Sequence, residues 1–136
     1  MERSVGLRVG VLAPAIALLA GCGSVSPGAG TAERAALAAR DVADSAGAQR
    51  ACESLAPDVI TSLREESGLA CPSALQSEPP PTPGKVVGAH VYGRAAQIVF
   101  DNDVVFLTVI QGKWKVTVMG CAAVASHPYD CSIGGQ

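Results

Sequence analysis

Between Val86 and Gly120 the chain reads VVGAHVY-GR-AAQIVF-DND-VVFLTVI-QG-KWKVTVMG, and this stretch decides the fold. Apolar and polar residues alternate along it with period two, the mark of strands with one buried face. Four strands are expected: Val86 to Tyr92, Ala95 to Phe100, Val104 to Ile110 and Lys113 to Gly120. Gly93-Arg94, Asn102-Asp103 and Gln111-Gly112 suit the tight two-residue turns of hairpins. With turns of that length, Val87 opposes Phe100, Ala89 opposes Ile98 and Val91 opposes Ala96. Phe100 then opposes Val105, and Ile98 opposes Leu107. In the last hairpin Val109, Leu107 and Val105 oppose Trp114, Val116 and Val118. Every pair is apolar and on one face, whereas His90, Gln97, Thr108, Lys115 and Thr117 fall on the other. A slip of one residue would mix the two sets, so the pattern predicts an antiparallel meander, dry on one side and wet on the other.

Such a sheet needs a cover, and the sequence before it supplies helices. From Thr31 to about Ser45 the pattern is helical, with Thr31 as cap, Glu33 in the first turn and alanines in the body. Leu37 and Val42 give it an apolar stripe, and Arg34, Arg40, Asp41 and Asp44 are expected to face water. Ala48 to Leu55 reads as a second helix stopping before Pro57. Asp58 to Ser67 reads as a third, with Val59, Ile60 and Leu63 inward and Gly68 as stop signal. Ser77 to Gly84 holds four prolines and is expected to be a loop. The fold class is therefore α+β, with N-terminal helices packed on one face of a four-stranded antiparallel meander.

Ahead of the helices, Val9 to Ala20 is an apolar run preceded by Arg3 and Arg8 and closed by Leu19-Ala20-Gly21-Cys22. Twelve residues broken by Pro14 fall short of the roughly 20 that span a bilayer, and the arrangement reads as a secretory signal. The final tetrad resembles the lipobox of bacterial lipoproteins. That resemblance implies cleavage before Cys22 and acyl chains, palmitate among them, on its thiol and new amino terminus. Residues 1–21 are then a signal peptide, 22–30 a small polar tether, and 31–136 a single domain on the extracytoplasmic face of the cell membrane. Two or more acyl chains anchor stably where one does not.

Export also explains the cysteines. With Cys22 lipidated, Cys52, Cys71, Cys121 and Cys131 remain, an even number in an oxidising compartment. Three connectivities are open. The local one, Cys52 to Cys71 and Cys121 to Cys131, is favoured because each pair brackets a turn. Zinc fits poorly, since no C-x-x-C occurs and the two histidines are far apart. The whole chain has ten basic and twelve acidic residues, and trimming at Cys22 leaves a net charge of about −3. No basic stripe survives, which excludes the electrostatic footprint of a nucleic-acid binder.

Nothing in the chain assembles a reaction centre. His90 lies on the wet face, and Asp101, Asn102 and Asp103 read as a turn bonding its own backbone. Too few further oxygens stand near that turn to hold calcium. No nucleophile elbow and no phosphate-cradling glycine loop occur. Neither catalytic nor metal nor cofactor residues are assigned. Trp114 falls on the apolar face as a core anchor. On the wet face Val104, Phe106 and Ile110 make a short apolar strip, a candidate partner surface.

Helices followed by a meander resemble the cystatin-like roll and the nuclear transport factor two-like cone. A finer resemblance lies in Ala51-Cys52-Glu53-Ser54-Leu55-Ala56-Pro57, Ser67-Gly68-Leu69-Ala70-Cys71, Trp114-Lys115-Val116, Gly120-Cys121 and Pro128-Tyr129-Asp130-Cys131. These segments and their cysteine spacing look like those of small lipoproteins of actinobacteria with no assigned reaction. The resemblance implies a cone-like α+β domain with both local bridges and no catalytic residues to carry over. The expected function is a non-catalytic ligand-binding module, holding a small apolar ligand among Ile98, Leu107, Trp114 and Val116. The alternative is an envelope interaction protein using the outer sheet face. An enzyme of the cone type ranks third, because the predicted register puts no acid or histidine inside.

Overall fold

The computed structural model describes residues 28–126 and 128–135. The expected signal peptide, Cys22 and most of the expected tether lie outside them. In chain order the elements are α1 (Ala29–Ala38), α2 (Ser45–Ser54), α3 (Pro57–Ser67), α4 (Cys71–Ser77), β1 (Val86–Tyr92), β2 (Ala95–Phe100), β3 (Val104–Ile110), β4 (Lys113–Ala122) and β5 (Asp130–Ile133). The strands form one antiparallel sheet in sequence order. The α+β class and the helical cover thus stand, with a fifth strand and a fourth helix added.

The first helix is shorter than the expected Thr31 to Ser45, ending at Ala38, and Ser45 opens the second. The first starts at Ala29, inside the expected tether, and Thr31 does not cap it: its hydroxyl donates to the Gly28 carbonyl at 2.6 Å. Asp44 ends the extended reading, because its carboxylate accepts the Gly47 N–H at 2.6 Å and so caps α2. Aspartate gains more at a cap than in a helix interior. The connection also folds back on α2, and a Cβ at Gly47 would meet the Asp41 carbonyl at 2.6 Å. Pro57 opens α3 at its first turn, and Gly68, with φ of 69°, closes it. Proline without its N–H is tolerated there, and glycine takes the left-handed cap at little cost. Residues 71–77 make the short helix that the proline run hid, with Cys71 at its start.

Strands β1 to β3 keep their expected bounds, but the register is only partly as predicted. Ala89↔Ile98, Val91↔Ala96, Leu107↔Val116 and Val109↔Trp114 are paired as expected. Val86 rather than Val87 opposes Phe100, because a bulge lies between Val86 and Gly88. Val87 is consequently turned out to solvent. In the second hairpin Ile98 pairs with Val105 and Ala96 with Leu107, two residues from the expected alignment. The turn there is Asp101-Asn102, closed by Phe100 N–H donating to the Asp103 carbonyl at 2.8 Å. A shift of two keeps every side chain on its face, so burial does not oppose it.

A further irregularity pairs Val118 with Phe106, not with Val105. Beyond it the alternation changes phase, and Met119 and Cys121 are buried while Val118 is half-exposed. Gly120 does not stop β4. It sits at φ of 68°, where a Cβ would collide with the Ser132 hydroxyl of β5 at 2.0 Å. β5 crosses that point closely, pairing Met119 with Ile133 and Cys121 with Cys131.

The core lies between sheet and helices. Ala96, Ile98, Phe100, Val105, Leu107, Val109, Trp114, Val116 and Met119 meet Ala32, Ala36, Ala39, Ala51, Leu55, Val59 and Leu75. Alanines on α1 and α2 let the helix backbones approach the larger strand side chains. Two disulfides, Cys52–Cys71 and Cys121–Cys131, join α2 to α4 and β4 to β5. Among the described residues no helix is long and apolar enough to cross a membrane.

Candidate functional site

The four residues expected to line an interior pocket are part of the solid core. Ile98, Leu107, Trp114 and Val116 are each 5% exposed or less, and neither of the two grooves described below reaches them. Leu55 and Leu75, at 1% and 0% exposure, are buried with them in the same core.

The interior does hold a charge, and it was expected outside. Arg40, just past α1, is buried, and its guanidinium donates to the Asp103 carboxylate. The side chains of this ion pair are 0% and 4% exposed. The Arg40 guanidinium carbon also lies 4.3 Å from the centre of the Phe100 ring, a cation–π contact strengthened by burial. Nε and Nη1 of Arg40 and Oδ1 of Asp103 make no hydrogen bond among the described residues. The pair ties the end of the first helix to the turn between β2 and β3. Asp103 is therefore not satisfying its own turn. Asp101 and Asn102 do not bond locally either: they accept from the N–H groups of Lys85 and Gly84, each at 3.0 Å, and Asn102 donates to the Thr82 carbonyl at 2.9 Å. Together they hold the end of the proline-rich loop where it enters β1.

On the outer face the candidate strip is divided. The Phe106 ring meets the Tyr129 ring edge-on, 5.0 Å between centres and 70° between planes. Gln97 Nε2 donates to the Tyr129 hydroxyl at 3.0 Å. The loop closed by Cys121 and Cys131 thus lays an aromatic over the centre of the strip. Val104 and Ile110 stay half-buried, and Ile110 packs toward the main core. His90 is exposed on β1 and stacks against Tyr92, 6.5 Å between ring centres.

Two grooves on the exterior of the described residues bear on binding. The larger, about 670 Å³, runs between α3, the start of the proline-rich loop and the β4–β5 corner. Its walls carry the carboxylates of Asp58, Glu66, Glu78 and Asp130 with the hydroxyls of Ser62 and Ser132. Asp58 and Glu66 share α3, Glu78 follows α4 and Asp130 opens β5, so no sequence window announces the set. Among the described residues no group of three or more His, Cys, Asp or Glu is arranged to hold a metal ion. The smaller groove, about 330 Å³, is lined by the apolar Leu55, Pro57, Ile60 and Ile110 together with Lys113 and Lys115. Lys115 is engaged there, donating to the Glu53 carbonyl. Comparison of the chain with protein-family models, with curated proteins and with solved structures finds no match.

Proposed function

We propose that this chain is a lipoprotein, anchored to the extracytoplasmic face of the cell membrane through lipid on Cys22, whose domain works by binding and not by catalysis. The observation that carries the reading is the coincidence of Leu19-Ala20-Gly21-Cys22 with a domain whose other four cysteines are spent in two bridges. Disulfides persist in exported domains and seldom in reducing ones. The burial of Ile98, Leu107, Trp114 and Val116 in the core, away from both grooves described, favours an exterior mode of binding, to an envelope partner, over a small apolar guest under the helices.

The test has two arms. Replacing Cys22 with serine should move the protein out of the lipid fraction of the envelope. Native mass spectrometry of the purified chain should find the domain without a co-purified apolar ligand. Retention of the serine variant with the lipid would overturn the anchor, and a stoichiometric apolar ligand would restore the interior-pocket reading.

A further inference from the structure

The two long edges of the sheet are finished very differently. Along β4 the Ala56 N–H donates to the Val116 carbonyl at 2.8 Å, and β5 pairs with residues 119–122. Among the described residues, β1 has a neighbouring strand on one side only. The ladder fixes which of its groups are open. Phe100 N–H donates to Asp103 and Val109 N–H donates to the Arg94 carbonyl. Even-numbered residues of β2 therefore bond β3, and Ala95, Gln97 and Val99 bond β1 through Tyr92, His90 and Gly88. The alternation leaves the N–H and C=O of Ala89 and Val91 pointing out of the edge.

Exposed edges are usually blunted by shortness, charge or proline. β5 follows that rule, with four residues opening on Asp130. β1 has seven residues and none charged. It carries the two most exposed large apolar side chains of the described structure, Val87 at 64% and Tyr92 at 67%. Arg94, just past its end, turns its guanidinium back onto the Val109 carbonyl, away from the edge.

We infer that β1 is a self-association edge, on which a second copy of the chain pairs antiparallel about a two-fold axis at His90. Ala89 and Val91 of one copy then exchange backbone hydrogen bonds with Val91 and Ala89 of the other. A two-fold interchanges these positions, so every open N–H meets an open C=O, as an isologous contact requires. The absence of charge on β1 means that self-pairing opposes no like charges within the strand. Side chains of Ala89 and Val91, on the helix-facing side of the sheet, become neighbours and continue its apolar layer. The pairing does not rest on the lipid anchor, which would only raise the local concentration of copies.

The experiment places a benzophenone amino acid at Tyr92 of the full chain in cells, irradiates, and identifies the adduct by mass spectrometry. A covalent dimer of this chain is expected. Ala89→Lys puts charge on the edge, and Val91→Pro removes an N–H that faces outward, leaving the β1–β2 ladder intact. Each should lower the dimer yield at least about tenfold, as loss of a few backbone hydrogen bonds would. Retention of both disulfides checks that the variants fold, and Ala89→Lys carries the test if the proline variant loses them. Adducts only to other proteins, no adduct, or a yield unmoved by a folded edge variant would overturn the inference.

Discussion

Arg40 and Asp103 show how one pair of side chains can matter without being a source of net stability. An ion pair this deep loses about as much in desolvation as it gains in attraction, so a well-packed apolar replacement would serve nearly as well. Removing one partner is different, because it strands a buried charge. Asp103→Asn should lower the unfolding free energy by about 3–5 kcal/mol, measured by urea denaturation of the oxidised protein. Arg40→Met combined with Asp103→Leu should recover most of that loss, and failure to recover would mean that the pair does more than fill space. Gly120 offers a second residue-scale test. Alanine there must adopt φ near 68° and push against Ser132 and Pro81, which should cost about 2 kcal/mol. An unchanged denaturation midpoint for Gly120→Ala would contradict the close crossing of β4 and β5.

At the scale of elements, the two bridges hold what local propensity does not. α4 has seven residues and β5 has four, too few for either to persist by itself. Each bridge closes a short loop and should contribute about 3 kcal/mol in the chain-entropy model. Cys121→Ala with Cys131→Ala should therefore lower stability by that amount. It should also speed hydrogen exchange in residues 119–133 while β1 to β3 stay protected. Uniform loss of protection would show that the corner is not a separate unit. The same two elements were illegible in the sequence, and for the same reason. Strands β1 to β4 announce themselves through sustained alternation and turn pairs, but Asp130-Cys131-Ser132-Ile133 alternates too briefly, and residues 71–77 sit beside a dominant run of prolines. Register failed where bulges entered, at Val87 and at Thr117 and Val118, and where the β2–β3 turn fell on Asp101-Asn102 instead of Asn102-Asp103; in each case the pattern of apolar residues is equally compatible with the other ladder. The Arg40–Asp103 pair left no trace either, because a charged residue near a helix end and an aspartate near a turn are ordinary surface signals. Of the candidate surfaces, the sequence places Ile98, Leu107, Trp114 and Val116 correctly on the inner face, but whether that face encloses space depends on the volume of the covering helices.

The described residues form a helix-covered sheet with a buried apolar core, and the features of interest lie outside that core: the carboxylate-walled groove at the β4–β5 corner, the open edge of β1, and, beyond the described residues, the proposed attachment at Cys22. Anchored as proposed, with both bridges formed, the chain would hold no free thiol, and a precursor that stayed in the cytosol would have five. The most direct measurement is the intact mass of the protein extracted from the cell envelope, with alkylation before and after reduction. The account predicts a chain starting at Cys22, heavier than its sequence by the acyl groups, with no thiol alkylated before reduction and four alkylated after it. A chain still starting at Met1, with five thiols alkylated without reductant, would contradict it.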